Sequence, residues 1–328
     1  MNRRDAGISL LLVVLGAVPC TSVAQQPRKV WRVGMLETMS MAANAANLNA
    51  FLAGMQELGY VEGQNLVLDY RSADGRADRF PNLATELVRA NVDVIVTRGT
   101  PATQAARAAS VQIPIVTAAS SDMVRTGLAK SLSRPEGNVT GLDPLAIDLL
   151  SKRVEVVREV FPKATRILAV LNLANAANAQ SWEETERAAR ALKFQITLFD
   201  ARRAEDFERA FNEGVKLRAN VLVIFQDGLV QANGKHIVEL AATYRLPAIY
   251  PASEYVDDGG LIGYGVSYPD LYRRAATYVE KILKGAKAGD LPIERATKFD
   301  LVINLKTAKT LGIAIPQPVL LRADRVIE

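Results

Sequence analysis

Short apolar runs alternate with longer amphipathic stretches along almost the whole of this 328-residue chain. The run Val92–Thr97 is nearly all β-branched, which is typical of a strand buried on both faces of a sheet. Small or polar residues follow such runs, and patterns with a helical period come next. This alternation predicts an α/β fold built from doubly wound parallel sheets with crossover helices.

The pattern predicts two series of strands and helices. In the first series we expect strands at Val30–Leu36, Asn65–Arg71, Val92–Thr97 and Pro114–Thr117 and helices at Asn47–Leu58, Pro81–Arg89, Thr100–Ala109 and Asp122–Leu132. In the second series we expect helices at Leu149–Phe161, Trp182–Leu192, Ala204–Leu217 and Leu229–Tyr244 and strands at Arg166–Leu171, Phe194–Phe199, Val221–Phe225 and Pro247–Tyr250.

The two series share local sequence. The same four residues open a buried strand at Arg89–Val92 and at Arg218–Val221, and Ile113–Val116 corresponds to Leu246–Ile249 after the next helix. The length of the chain also suits two domains. We therefore expect two topologically similar lobes, although any two βαβ units share part of this alternation of strands and helices.

The composition excludes several function classes. One Cys permits no intramolecular disulfide and no zinc site built on cysteines. The one histidine, His236, has no second His or Cys for a metal site or a catalytic triad. A net charge of +5 without blocks of Lys or Arg argues against nucleic acid as a partner. We found no enzyme motif, so we predict a protein that is not an enzyme and has no cofactor and no metal.

Residues 1–24 are predicted to be a secretory signal peptide. Arg3 and Arg4 precede the apolar run Ile8–Val18, which is too short to span a bilayer. The segment Ser22–Ala24 then supplies the small residues that a signal peptidase recognises. We expect cleavage before Gln25 and a periplasmic protein.

Two alternatives at this end of the chain are weaker. Cys20 could carry a lipid anchor, but Pro19 before it is a poor match to the small residue of such sites. A twin-arginine signal is disfavoured by Asp5. The pattern therefore favours simple cleavage.

Polar residues follow the predicted strands, where ligands of open parallel sheets bind. The candidate ligand-binding residues are Thr38, Ser40, Arg98, Gly99, Thr100, Ser120, Ser121 and Asp122 in the first series and Asn172, Asn175, Gln226, Asp227, Tyr250, Glu254 and Tyr264 in the second. Hydroxyls and helix N-termini suit a carboxylate, and Asp122 or Asp227 could pair with an ammonium group. A guanidinium directly after a buried strand makes Arg98 the strongest candidate.

Each candidate also has a structural interpretation. Ser, Thr, Asp and Asn are common helix N-caps, and tyrosines near strand ends often complete a core. The recurrence of polar residues at the strand ends of both series favours a ligand cleft.

Motifs over nearly the whole mature chain match one protein family in order and spacing. They are Glu57–Asn65, Val92–Val96, Gly99–Ala102, Ile113–Val116, Gly137–Gly141, Leu246–Tyr250, Asp270–Ala276 and Lys298–Lys306. The chain thereby resembles the ABC-transporter substrate-binding family that includes tryptophan- and tyrosine-binding members. At two positions it departs from the family: Asp122-Met123 and Asn172-Leu173 stand where relatives have Asp-Pro and Asn-Pro. The resemblance therefore implies the fold and leaves the ligand open.

The resemblance implies a type I periplasmic-binding fold, in which two Rossmann-like lobes are joined by three crossovers. The crossovers are expected near Thr140-Gly141, Gly263–Gly265 and Gly289–Pro292. This gives an N-terminal lobe of residues 28–141 plus 265–290 and a C-terminal lobe of residues 142–264 plus 291–328. The helix Leu271–Leu283 then packs in the first lobe, and Thr297–Leu311 returns to the second.

The resemblance also implies the solute-binding component of an ABC importer, a monomer that serves a membrane permease. Its solute would be a small carboxylate-bearing molecule, with aromatic amino acids among the candidates, held as the lobes close. A periplasmic sensor of the same fold, signalling to a membrane receptor, remains the alternative. A ligand-controlled repressor is disfavoured by the export signal and by the lack of a predicted helix-turn-helix before the first strand. A hydrolase or racemase on this scaffold is the most distant possibility.

Overall fold

Two separate sheets organise the chain in the computed structural model, which describes residues 29–144 and 147–328. The proposed signal peptide and Cys20 lie outside the described residues. The strands are β1 (Trp31–Glu37), β2 (Leu66–Ser72), β3 (Val94–Arg98), β4 (Ile115–Ala119), β5 (Val139–Asp143), β6 (Arg166–Leu171), β7 (Gln195–Asp200), β8 (Val221–Ile224), β9 (Ala248–Tyr250), β10 (Ile262–Val266), β11 (Glu294–Arg295), β12 (Phe299–Asn304) and β13 (Arg325–Ile327).

Helices connect these strands. They are α1 (Ala45–Glu57), α2 (Phe80–Arg89), α3 (Thr100–Ala109), α4 (Ile147–Val160), α5 (Ala177–Ala191), α6 (Glu205–Lys216), α7 (Gly228–Ala232), α8 (Gly234–Tyr244), α9 (Glu254–Asp257), α10 (Tyr268–Leu283), α11 (Leu305–Leu311) and α12 (Gln317–Arg322). Single 3₁₀ turns occur at Ala77–Arg79 and Ala288–Asp290.

Both sheets are doubly wound. The six-stranded sheet has the order β11-β5-β4-β3-β1-β2, and all its pairs are parallel. The seven-stranded sheet has the order β13-β12-β10-β9-β8-β6-β7, with one antiparallel pair, β10 and β12. The predicted fold class of two parallel-sheet lobes is therefore confirmed.

The chain crosses from one sheet to the other a few residues after each of the crossover positions that the motifs suggested. Thr140-Gly141 is inside β5, and Gly263–Gly265 is inside β10. The residues after Gly289–Pro292 still form β11, which pairs with β5 of the first sheet. We therefore propose lobe limits of residues 29–143 plus 268–295 and residues 147–266 plus 299–328.

The C-terminal segments return to the lobes that the resemblance implied. Helix α10 packs against α1 of the first lobe, where an ideal Cβ on Gly54 would lie 2.9 Å from the Cβ of Ala276. Small residues at this contact let the two helix backbones approach closely. Strand β12 pairs with β10 and so extends the sheet of the second lobe.

Two predicted helices differ from the structure. The segment predicted as a helix at Asp122–Leu132 is a series of turns, because Asp122 (φ 54°) and Gly127 (φ 72°) both adopt positive φ and interrupt any helix. The helix predicted at Leu229–Tyr244 is divided into α7 and α8 at Asn233, whose side chain donates to the carbonyl of Leu229 at 2.8 Å. An Asn that binds its own backbone is a common interruption of this kind.

Gly141 shows why one position in the first sheet accepts no side chain. Its φ is 124°, and an ideal Cβ there would lie 2.2 Å from the carbonyl oxygen of Thr117 on the neighbouring strand β4. That oxygen belongs to the backbone of a buried strand and cannot move away cheaply. Any other residue would strain the backbone and push β4 and β5 apart.

We expect Gly141→Ala to lower the free energy of unfolding by about 3 kcal/mol or more, since backbone strain and steric overlap add. Gly63→Ala is the matched control, because Gly63 also has a positive φ (79°) but no atom within 4 Å of an ideal Cβ. It should cost only about 1 kcal/mol. Urea titrations of both variants measure the difference, and equal losses would contradict this account of Gly141.

Candidate functional site

A cavity of about 680 Å³ lies between the two lobes, at the carboxyl edges of their sheets. The first lobe contributes residues that follow β1, β3 and β4, and the second contributes residues that follow β6 and β8. The carboxyl ends of parallel strands share one edge, so the two edges face each other across this space. The volume is within the usual range of small-molecule sites.

Many of the predicted site residues line this cavity together. They are Thr38, Arg98, Gly99, Thr100 and Ser121 from the first lobe and Asn172, Asn175, Gln226 and Asp227 from the second. At the start of α3 the hydroxyl of Thr100 donates to the carbonyl of Ser121 at 3.3 Å. The cavity is thus lined by hydroxyls, amides and a helix N-terminus from both sides.

Three predicted residues of the first lobe lie elsewhere. Ser40 is exposed, and its hydroxyl accepts a hydrogen bond from the backbone of Ala43 at 3.3 Å. Ser120 is buried behind Thr100, to whose hydroxyl it donates at 3.3 Å. Asp122 forms an ion pair with Arg125 and does not line the cavity. The proposed pairing of Asp122 with a ligand ammonium therefore has no support in the geometry.

The predicted residues of the second lobe that do not line the cavity have structural contacts. Tyr250 is buried in the core and stacks on Tyr255 with ring centroids 5.3 Å apart. The side chain of Tyr264 packs against the hydrophobic cores. These two tyrosines complete the core, which was the structural interpretation of their pattern.

Arg98 is buried at the end of β3, with 2% of its surface exposed. One of its Nη atoms donates to the Asn44 side chain at 3.1 Å, and the other lies 3.7 Å from a carboxylate oxygen of Glu254. Its guanidinium carbon lies 4.0 Å from the ring centroid of Tyr268. Burial of this charge is therefore offset by a carboxylate and an aromatic face.

The contact between Arg98 and Glu254 joins the two lobes, and others lie beside it. Asn47 donates to Glu254 at 3.1 Å, and Thr38 donates to the Gln231 side chain at 3.2 Å. Glu254, a predicted ligand-binding residue, therefore holds the lobes together instead of lining the cavity. The lobes are closed on each other on this side.

Glu37 at the end of β1 is a second buried ionisable group beside Arg98. It is fully buried and accepts a hydrogen bond from the hydroxyl of Tyr272 at 2.7 Å. Burial raises the pKa of Glu37 to about 7, against the opposing effects of Arg98 and Tyr272. This carboxyl group therefore takes up a proton within the neutral range.

Asp227 binds groups of its own lobe. Its carboxylate accepts from the backbone of Leu229 at 2.9 Å, as the N-cap of α7, and from the side-chain amides of Asn172 at 3.2 Å and Asn175 at 2.8 Å. These bonds fix the loop after β6 to the loop after β8. They leave little acceptor capacity for the ligand ammonium that the sequence suggested.

Arg153 on α4 is a cavity residue that the sequence reasoning missed. It is 6% exposed, lines the cavity, and donates to the carbonyls of Tyr264 at 2.7 Å and Pro251 at 3.4 Å. Burial lowers the pKa of Arg153 to about 10. The available signal was an Arg inside the apolar face of an amphipathic helix, next to the buried Val154.

The cavity also has an aromatic and aliphatic part. Its residues are Phe80, Leu149, Leu150, Phe225, Val266 and Tyr268. The sequence suggested Tyr250 and Tyr264 for this role, whereas the tyrosine that lines the cavity is Tyr268, the first residue of α10. The position of Tyr268 depends on where the chain crosses from one lobe to the other, and local sequence patterns do not show that point.

Two kinds of feature are absent from the part of the chain that the structure describes. Within residues 29–144 and 147–328, no three His, Cys, Asp or Glu side chains are grouped so that they could hold a metal ion. No helix in that part of the chain has the length and apolar character needed to cross a membrane.

Comparison with known proteins places these features in one family. The model of the family described as ABC transporter substrate binding protein matches residues 32–327. The curated tyrosine-binding protein of Clostridioides difficile (strain R20291) is 28% identical over 264 residues, which cover 80% of this chain and 75% of that protein.

Solved structures show the same fold. A conserved domain protein from Vibrio cholerae is 31% identical, with a TM-score of 0.85 over 91% of this chain and 100% of that one. An ABC domain from Streptococcus pneumoniae in complex with L-Trp is 24% identical, with a TM-score of 0.83 over the same shares. A ligand-free, open substrate binding protein from Clostridium difficile is also 24% identical, and its TM-score is 0.65 over 91% of this chain and 99% of that one.

The raised pKa of Glu37 predicts a pH dependence of stability. The folded protein keeps the Glu37 proton up to a pH of about 7, whereas the unfolded chain releases it near 4.5. Folding therefore binds a proton between these values, so the stability contributed by the protonated group is lost as the pH rises through about 7. Relative to Glu37→Gln, wild type should lose on the order of 3 kcal/mol of unfolding free energy across this interval.

Urea titrations at several pH values measure this difference. Glu62→Gln, at an exposed glutamate, is the control and should follow wild type at every pH. If wild type instead gained stability relative to Glu37→Gln as the pH rose, Glu37 would be ionised in the folded protein and the account would be wrong.

Proposed function

The chain belongs to the family of ABC transporter substrate-binding proteins, and from this premise we propose that it is the extracytoplasmic component of an importer. It captures a small carboxylate-bearing solute between its lobes by hinge closure and delivers it to a membrane permease. The observation that carries the proposal is the cavity of about 680 Å³ whose wall comes from the facing edges of both sheets.

The lining of the cavity supports a carboxylate with an apolar body. Helix α3 begins at the cavity with Thr100, and its N-terminal N–H groups and the hydroxyl of Ser121 suit a carboxylate. Phe80, Phe225 and Tyr268 line the same space and suit an aromatic group. A relative is named for tyrosine, and a structural neighbour holds L-Trp.

The contacts between the lobes support hinge closure. The contacts between the lobes among the described residues include side-chain hydrogen bonds and the ion pair of Arg98 with Glu254, and such contacts can be exchanged for water when the lobes separate. The TM-score is 0.83 against the complex with L-Trp and 0.65 against the ligand-free, open protein, at the same 24% identity. This difference supports a closed arrangement of the lobes here.

A ligand screen tests the proposed function. We expect at least one compound in a panel of amino acids and aromatic acids to stabilise the purified protein in thermal unfolding, by ~2.7 kcal/mol at 100 times its Kd. Small-angle scattering should show a smaller radius of gyration with that compound bound. A panel without any binder would contradict the carboxylate solute, and an unchanged radius of gyration would contradict closure.

A matched pair of variants tests the location of the site. Ser121→Ala removes a hydroxyl that lines the cavity, whereas Ser40→Ala removes an exposed hydroxyl outside it. We expect Ser121→Ala to weaken binding of the screened compound by about three- to tenfold, the effect of one hydrogen bond. Ser40→Ala should leave the Kd, measured by calorimetry, unchanged. Equal effects would place the site elsewhere.

Gly228 offers a direct test of closure. An ideal Cβ on Gly228 would lie 2.8 Å from the Cγ2 of Thr38, which is in the other lobe. Gly228→Ala should therefore disfavour the closed form and weaken binding by about tenfold, while stability without ligand stays within about 0.5 kcal/mol of wild type.

A second substitution, Thr38→Ser, should remove the steric overlap created by Gly228→Ala and keep the hydrogen bond to Gln231. Thr38→Ser deletes Cγ2 but retains the hydroxyl that donates to Gln231. Combined with Gly228→Ala, it should restore most of the affinity that Gly228→Ala loses, with Thr38→Ser alone as the reference. Wild-type affinity in Gly228→Ala would show that binding does not need this closure.

A further inference from the structure

We propose that Arg153 is the anion-recognising residue of the cavity, and that it selects an aromatic or aliphatic carboxylate that lacks an α-ammonium group. The proposal rests on the proposed function, because it names the chemical class of the solute for the same cavity. It separates this chain from relatives whose named ligands are amino acids.

The guanidinium of Arg153 is buried, and no carboxylate of the described residues lies within ion-pair distance of it. Its side-chain contacts are the carbonyls of Tyr264 and Pro251, which are reached from Nε and one Nη atom. The second Nη atom has no hydrogen-bond partner among the described residues, and no acidic side chain there lies within ion-pair distance of Arg153. Carbonyl groups are neutral, so burial of this charge is only partly offset. A ligand carboxylate would supply the missing negative charge.

The other buried arginine of the cavity, Arg98, has a carboxylate beside it. Arg98 lies 3.7 Å from a carboxylate oxygen of Glu254 and donates to Asn44, while its Nε and its second Nη atom have no hydrogen-bond partner among the described residues. Its charge is therefore used inside the protein, where it links the lobes. Of these two arginines, Arg153 is the one that has no carboxylate at ion-pair distance among the described residues, so its charge is the one that an anionic ligand would balance.

The acidic residues of the cavity wall have little capacity for an ammonium group. Those among the described residues are Asp74, Asp78, Glu205 and Asp227. Asp74 accepts from Arg79 at 2.7 Å and Asp78 from Arg76 at 2.9 Å, in both cases at exposed positions.

The remaining two acidic residues of the cavity wall, Asp227 and Glu205, differ in solvent exposure. Asp227 is buried, and its carboxylate accepts the three hydrogen bonds from Leu229, Asn172 and Asn175. Glu205 is exposed at the start of α6. Among the described residues, the buried part of the wall therefore offers a cation for a carboxylate and no free carboxylate for an ammonium, which disfavours a zwitterion.

The neighbours of Arg153 indicate what the carboxylate is attached to. Leu149 and Leu150 precede it by one helical turn, share its face of α4, and line the cavity with it. Phe225 and Val266 complete an apolar wall. An aromatic or aliphatic group joined to one carboxylate fits this combination.

Pairs of ligands that differ only in the amino group test the proposal. We measure calorimetric Kd values for L-tyrosine and L-tryptophan and for 3-(4-hydroxyphenyl)propionate and 3-indolepropionate. Wild type should bind at least one deaminated acid at least about tenfold more tightly than the amino acid with the same ring. It should prefer that acid to its neutral primary amide by at least about tenfold.

Variants at Arg153 test the residue itself. Arg153→Met keeps the apolar stem and removes the charge, so it should weaken binding of the acid by about 100-fold. Its binding of the primary amide should change little, and its thermal stability without ligand should be equal to or above that of wild type. Arg153→Lys keeps the charge and should restore part of the affinity. Arg203→Met, at an exposed arginine of the cavity mouth, is the control and should bind the acid like wild type.

The outcomes separate the two proposals. Tighter binding of the amino acids than of their deaminated counterparts would overturn the inference and leave the proposed function intact. Equal affinity of wild type and Arg153→Met for the acid would overturn the role of Arg153. If Arg153→Met does not fold, the preference of wild type for acid over amide decides the question. Failure of every ligand to bind would overturn the proposed function and the inference with it.

Discussion

In a parallel sheet every strand ends at the same edge, and the arrangement of this molecule depends on that constraint. The crossover helices return the chain to the opposite edge before each new strand, so residues that follow separate strands become neighbours in space. Thr38, Arg98 and Ser121 meet in this way in the first lobe, as do Asn172 and Asp227 in the second. Because the two sheets present these edges to each other, one cavity collects the polar residues of both.

The contacts between the lobes support the opening and closing that we propose. Its contacts include the hydrogen bonds Thr38–Gln231 and Asn47–Glu254, and small residues bring the backbones together. An ideal Cβ on Gly75 would lie 2.6 Å from the Cβ of Ala232 in the other lobe. Polar contacts of this kind lose little free energy when water replaces them.

The sequence predicted those parts of the molecule that local patterns determine. The helix Thr100–Ala109 and the strand Arg166–Leu171 have the predicted bounds, because each is set by its own residues. The segment Asp122–Leu132 had a helical pattern, but positive φ angles at Asp122 and Gly127 prevent the helix. The turns that favour such angles depend on packing with distant segments.

The same division holds for the candidate site. Residues directly after strands, such as Thr38 and Asn172, could be predicted because strand ends are visible in the sequence. The cross-lobe role of Glu254 could not, since it depends on how two distant elements meet. Tyr268 and Arg153 lie on helices that follow passages between the lobes, and no local period shows which helix face meets the cavity.

Arg98 and Arg153 show how one side chain serves two purposes according to what surrounds it. Arg98 lies beside Glu254, so its charge contributes to the contact between the lobes. Arg153 donates only to neutral carbonyls among the described residues, so we propose that its charge binds the carboxylate of the solute. A cleft for amino acids must offer partners for both a carboxylate and an ammonium group. Here the buried carboxylate that lines the cavity among the described residues, Asp227, binds the amides of Asn172 and Asn175. These amides belong to the loop in which the sequence departs from the family, with Asn172-Leu173 in place of Asn-Pro. The replacement of Asn-Pro and the lack of a free buried carboxylate among the described residues of the cavity therefore both support the proposed solute, a carboxylate without an α-ammonium group.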